Sequence, residues 1–344
     1  MRRSGQFSGS VAHVKNDDRE QITVSIISEE AHQTSEIEGE ILDRDILQCS
    51  IRRHFGLEAD QRKITPAEAG ISELMMDLYR DYHQPLTHQR LFDWHRFLTQ
   101  GRRDLKQIGT YRSEDDAIQV VSGPIHDPVI HYEAPPAVRV HDEMEVFLSW
   151  YEKTAPDGLQ PLPILTRAAI AHLYFVVIHP FEDGNGRIAR AISEKTIAEG
   201  LGCPALIPLS QTINRSRKTY YQQLAKTNHT LDIGEWVTYF SQTILESLSR
   251  AQNLVDFLIA KSKFYNCHHG KFNPRQEKAI ARLFREGPDG FVGGLSAEKY
   301  CRITGATRPT ATRDLQDLVR MKALTRTGKL KGTRYHLDLT EVYL

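Results

Sequence analysis

The sequence predicts a mainly α-helical protein with a small α+β domain at its C-terminal end. Three observations carry that prediction. Leu162–Ile178 is nearly unbroken apolar sequence, long enough for a buried helix. Ile233, Val237, Phe240, Ile244, Leu248, Ala251, Val255 and Leu258 form an apolar stripe at helical spacing. From Phe272 onward the texture changes: helical patterns give way, over Leu324–Leu339, to alternation around Gly328 and Gly332, as in a hairpin.

Taken in order, the chain opens with polar, Gly- and Ser-bearing residues to about Asp18, expected to be a loose terminus. A helix is expected from Arg19, with Ile22, Ile26 and Ile27 on one side and Gly39 stopping it. Ile41–Leu98 is helical by pattern, broken at Thr65-Pro66 and near Pro85; Leu91, Trp94, His95 and Leu98 follow core spacing. Ala117–Ser122 and Val129–Tyr132 flank Gly123-Pro124 and read as a hairpin. Gly200 is placed to end the helix that follows the 162–178 run.

Composition excludes little and bounds much. The 344 residues allow two or three domains, and 40% hydrophobic with 26% charged residues is ordinary globular usage. Net charge is zero, so no global field advertises nucleic acid. No apolar run is long enough to span a bilayer, and the basic start lacks a signal-peptide core. The four cysteines are scattered, which fits a reducing cytoplasm, and Cys267-His268-His269 reads as a polar loop rather than a metal site.

The chemistry concentrates in His179-Pro-Phe-Glu-Asp-Gly-Asn-Gly-Arg-Ile-Ala-Arg190. Gly184-Asn185-Gly186 falls at a helix start, where free N–H groups and the helix dipole make an anion site. Arg187 and Arg190, three apart, share a face and suit further phosphates. Asp183 is a hard oxygen ligand for Mg²⁺ beside that anion, and His179 is the general base. Gly184–Ala189 also fits a dinucleotide fingerprint, but the run ahead of it is too long for one strand and no βαβ unit follows.

Every fixed position of that segment matches the signature of the Fic (Fido) family, which the chain therefore resembles. The resemblance implies a Fic-type helical bundle that transfers AMP from ATP to a Ser, Thr or Tyr hydroxyl of a target protein, releasing pyrophosphate. It implies His179 as the base, Asp183 on Mg²⁺, the Gly184–Gly186 backbone around the phosphates, and Arg187 and Arg190 on the distal phosphates. Thr34-Ser-Glu-Ile-Glu38-Gly39 matches the family's inhibitory motif, so Glu38 is expected to pair with Arg190 and block the γ-phosphate. The hairpin is by the same resemblance a flap that holds a target strand, with Ser122 and Gly123 near the nucleotide. Tyr220, Tyr221 and Asn228 match a pattern suited to an adenine pocket.

The implied layout is an N-terminal helical region over residues 1–85 containing the inhibitory helix (about 20–38), and a catalytic domain over 86–250. A connecting helix over 251–271 and a winged helix-turn-helix over 272–344 complete it. That last segment holds fourteen basic against eight acidic side chains, and Arg308 and Arg313 fall on its recognition helix. Partners follow from this layout: a hydroxyl-bearing protein, either DNA or a protein (a docked target or a second copy of the chain) through the winged helix, and no membrane. The alternative is a winged-helix DNA-binding regulator whose Fic core senses nucleotide; an intact His179 favours the enzyme. A donor other than ATP keeps the same fold, and the arginine pair favours a triphosphate.

Overall fold

The computed structural model describes residues 16–113, 119–122, 129–227, 232–288 and 290–339. The chain divides into two compact units, one of Thr23–Ala251 and one built mainly of Gln252–Leu344.

In the first unit, α1 (Asn16–Ile37) buries Val24, Ile26, Ile27, Ala31 and Ile37. It ends where Gly39 takes a φ of 85°, a left-handed value that a side chain resists. The Glu38 and Glu40 N–H groups both donate to the Ser35 carbonyl at 3.0 Å, so Glu38 lies in the closing turn, just past the last helical residue. Helix α2 (Arg44–His54) is capped by Asp43, and α3 (Pro66–Asp81) by a reciprocal Thr65–Glu68 box with Pro66 at its first position. Helix α4 (His88–Leu98) starts on Thr87 and buries Leu91, Trp94, His95 and Leu98.

Two short antiparallel strands follow, β1 (Gln119–Ser122) and β2 (Val129–Glu133), with an irregularity between Val120 and Val121. Helices α5 (Ala137–Lys153), α6 (Ile164–Ile178), α7 (Asn185–Leu201), α8 (Leu209–Arg215) and α9 (Arg217–Thr227) complete the bundle, with the first part of α10 (Gly234–Cys267). Helix α7 is its axis: nearly every residue from Asn185 to Ala198 is buried, so its apolar side chains and its charges alike must find partners inside the protein. One expectation is corrected here. Helix α7 runs through Gly200 and ends on Gly202, whose φ is 68°. Gly200 serves close packing instead, since a Cβ there would meet Ile164 Cγ1 at 2.4 Å.

In the second unit, α11 (Pro274–Arg285) carries an Asn273–Gln276 capping box, α12 (Ala297–Thr304) starts on Ser296 and stops on left-handed Gly305, and α13 (Arg308–Arg320) follows. Strands β3 (Leu324–Thr327) and β4 (Arg334–Leu337) pair antiparallel, and Leu295 bridges to Tyr335. Phe264, Ile280, Leu283, Tyr300, Leu315 and Leu318 form the core. Buried Asp314 is satisfied by the Tyr300 hydroxyl and the Arg275 guanidinium, both at 2.9 Å.

Candidate active site

The site grows from the break between α6 and α7. The last N–H of α6 is His179's own, donating to Phe175 O at 3.1 Å, and His179 then turns left-handed with φ of 51°. For a histidine that conformation is uncommon and survives because its surroundings fix it. Arg112 supplies the fixing: its Nε donates to the His179 carbonyl at 2.8 Å and its backbone N–H to the Pro180 carbonyl at 2.9 Å. The imidazole Nδ1 lies 3.3 Å from the Val176 carbonyl, which can only accept. Nδ1 therefore carries the proton and Nε2 keeps a lone pair, the tautomer a base needs. Burial, joined by the Arg112 charge, lowers the imidazole pKa to about 4, so it is neutral near pH 7.

Beyond it, the Asn185 amide holds the loop from inside: Oδ1 accepts from Phe181 N–H at 2.9 Å and Nδ2 donates to Phe181 O at 2.7 Å. Both ends of that side chain are thus committed to the fold, which leaves Asn185 its backbone N–H for a ligand. Gly184 caps α7 with φ of 84°. Gly186 has the opposite reason to be glycine: a Cβ there would lie 2.2 Å from Glu38 Oε1. The start of α7 already holds an anion, the Glu38 carboxylate.

The two signature arginines are nearly sealed from solvent, Arg187 at 5% and Arg190 at 1% exposure. Arg190 donates through Nε to Thr34 Oγ1 at 2.7 Å, and through Nη2 to Thr34 O at 2.8 Å and Glu38 Oε1 at 2.7 Å. Arg187 donates to Glu40 Oε2 at 2.7 Å and stands 3.7 Å from Asp183. Nη1 of Arg190 and Nε of Arg187 are buried with no hydrogen-bond partner. Unmet donors beside a helix N-terminus suit a polyanion. Asp183 accepts from its neighbour's N–H, Gly184, at 2.6 Å and from Arg102 at 2.6 Å. Burial works against its charge, but Arg187 and Arg102 outweigh it and hold the carboxyl below its usual range. An ionised oxygen ligand that already attracts cations fits Mg²⁺.

The tyrosine pair separates. Tyr220 is buried and its hydroxyl meets His172 Nε2 at 2.8 Å, so it belongs to the core. Tyr221 is half-buried, packs edge-on against Tyr220, and its hydroxyl is 3.5 Å from Ile37 O at the end of α1. Ser122 is described only as a strand residue paired with Val129, while Gly123 and Asn228 lie outside the described residues. Contacts join Asp183 to Gly184 and Arg187, and Glu38 to Gly186 and Arg190, while His179 lies within electrostatic reach of both Glu38 and Asp183.

Sequence reasoning missed Arg102, Arg112 and Glu40. Arg112 sits in the Gly-Thr-Tyr-Arg run, a detectable signal; Glu40 and Arg102 carry none, because their partners lie far along the chain. His95, read as a core residue, is fully buried, stacks on Phe181 with centroids 4.3 Å apart, and accepts from Gly109 N–H at 2.9 Å.

Parts of this chain resemble known proteins. Residues 85–196 match the Fic/DOC family, and residues 1–57 match a domain of unknown function, DUF4172. A protein adenylyltransferase Fic of Nematostella vectensis is 29% identical over 136 residues, covering 39% of this chain and 28% of that protein. Protein adenylyltransferase fic-1 of Caenorhabditis elegans is 23% identical over 238 residues, covering 69% of this chain and 41% of that one. The chain thus spans less than half the length of these relatives. Among solved structures, a Fic family protein from Desulfovibrio desulfuricans superposes with a TM-score of 0.55 at 19% identity, covering 98% of this chain and 96% of the other. A Fic domain containing signalling protein from Bacteroides thetaiotaomicron gives 0.54 at 21% identity, over 74% and 98%. The chain is mainly helical, its fold resembles that of solved Fic family proteins, and its residues 85–196 match the Fic/DOC family.

Proposed function

We propose that this protein is a Fic-type protein adenylyltransferase, using ATP to modify a hydroxyl on a target protein and held at rest by Glu38. The observation that carries the reading is the Glu38 carboxylate on Arg190 at the start of α7, beside a neutral imidazole with a free Nε2 lone pair. In the productive state the target oxygen attacks the α-phosphorus as the bond to the β-phosphate oxygen breaks. The hydroxyl proton passes to His179 Nε2, and pyrophosphate leaves. Arg187 and Arg190, freed of their glutamates, bind the leaving phosphates through donors unmet at rest. Asp183 would hold Mg²⁺, which supplies charge neutralisation on the phosphate oxygens. Tyr221 flanks the nucleotide base, with Asn228, Ser122 and Gly123 assigned to the same pocket by resemblance alone. The β1–β2 pair is the flap that presents the target segment.

For the second unit we propose a winged helix, with Arg308 and Arg313 exposed on α13 and the β3–β4 pair as the wing. Contact with DNA phosphates through those arginines predicts an affinity that falls as salt rises. His179→Ala separates the enzyme from a nucleotide-sensing regulator. The enzyme reading expects loss of label transfer from ATP by about a hundredfold or more, with nucleotide binding retained. Transfer that survives the substitution overturns it.

A further inference from the structure

We propose that Arg102 is a built-in counter-cation for Asp183, which a divalent metal must displace, and that it thereby sets the metal affinity of the site. This rests on reading Asp183 as the metal ligand. The competition follows from how the carboxylate is used. Its Oδ1 accepts from Gly184 N–H at 2.6 Å and belongs to the loop. Its Oδ2 is the oxygen that faces a cation here, with Arg102 Nη1 on it at 2.6 Å. Arg187 does not fill that place, because Glu40 draws it to 2.7 Å while Asp183 stays 3.7 Å away.

Two features make the arrangement exchangeable. Asp104 holds the rest of the guanidinium with two bonds, Nε to Oδ1 at 2.7 Å and Nη2 to Oδ2 at 2.6 Å. A metal arriving at Asp183 therefore removes one hydrogen bond of Arg102 and leaves its anchor in place. The loop that carries Arg102 is also fixed to the signature: Glu182, next to Asp183, accepts from the Lys106 and Gln107 N–H groups at 3.0 and 3.2 Å. Arg102 is consequently delivered to Asp183 by the backbone, at a half-exposed position where the ion pair is weak enough to give way. At rest the carboxylate has a partner without a metal. Once nucleotide brings its own negative charge, a doubly charged ion is the better partner for both.

The test measures Mn²⁺ affinity through the free-ion paramagnetic resonance signal, on the full chain carrying Glu38→Gly, with a non-hydrolysable ATP analogue present. Arg102→Gln is expected to tighten Mn²⁺ about fivefold, the equivalent of one exposed charged hydrogen bond. Arg103→Gln removes the same charge from the neighbouring exposed residue and is expected to leave the affinity unchanged. Damage to the site could only weaken binding, so tightening is diagnostic. Unchanged or weaker binding in Arg102→Gln overturns the proposal, as does equal tightening in both variants, which would mark a diffuse charge effect. Asp183→Asn reports separately on the underlying reading: if Mn²⁺ binds as well without that carboxylate, the metal assignment fails whatever Arg102 does.

Discussion

Among the arginine–carboxylate contacts around the signature loop, those of Arg190 and Arg102 differ most in burial. Arg190 is sealed between α1 and α7 and meets Glu38, with Thr34 accepting two further bonds. Arg102 and Asp183 form a contact of similar length with both side chains more than a third exposed. Equal distances do not mean equal consequences. A guanidinium without water must keep its partners or lose several kcal/mol, whereas an exposed one is solvated the moment its partner leaves. The first contact can hold a state; the second can only be exchanged.

Removing one side of each pair should expose the difference. Arg190→Ala deprives Glu38 and the Thr34 carbonyl of their partner and empties a buried site. Urea unfolding is expected to show a loss of about 3–5 kcal/mol. Arg102→Ala should cost less than about 1 kcal/mol in the same measurement. Comparable losses would dissolve the contrast.

Acid should weaken the buried side of the protein. Burial lowers His95 and His179 to about 4 and His172 to about 3, below the ordinary histidine value of 6.5. Between 6.5 and those values the unfolded chain binds protons that the folded one refuses, so stability rises with pH across that window and falls as pH drops through it. Melting temperature should decline steadily from pH 7 to 4, and His172→Phe should flatten the decline.

A smaller effect of opposite sign lies beneath Arg190. Glu30 of α1 and Glu194 of α7 are both buried; desolvation raises both pKa values, the nearby Glu30 adds to the rise at Glu194, and Ser210 N–H donates to Glu30 at 2.6 Å. A raised carboxyl contributes stability that is lost as pH rises through its folded value. Glu194→Gln should therefore raise the melting temperature by a few degrees at pH 8, on the order of 1 kcal/mol, and by less at pH 5. A larger gain at the lower pH would contradict this assignment.

What was legible in the sequence follows the same division. The signature loop could be read because its chemistry is local: His179, Asp183, Gly184 and Gly186 take their places from one turn and one helix start. Glu38 was legible through a short motif whose partner lies 152 positions away. Glu40 and Arg102 were not, since nothing in their neighbourhoods names a partner. Tyr220 and Tyr221 show the limit of periodicity: adjacent helical residues point about 100° apart, so one must face inward, and only tertiary packing decides which. Gly200 and Gly202 differ likewise, one chosen for close approach to Ile164 and the other for its left-handed φ.

The most direct test of the central claim is self-modification with labelled ATP, comparing the intact chain with Glu38→Gly. The account predicts a sharp rise in incorporated AMP, about tenfold or more, since losing the Arg190 contact is worth at least 1.4 kcal/mol. An unchanged rate would contradict it, because the carboxylate at the start of α7 would then not stand where the phosphate must go.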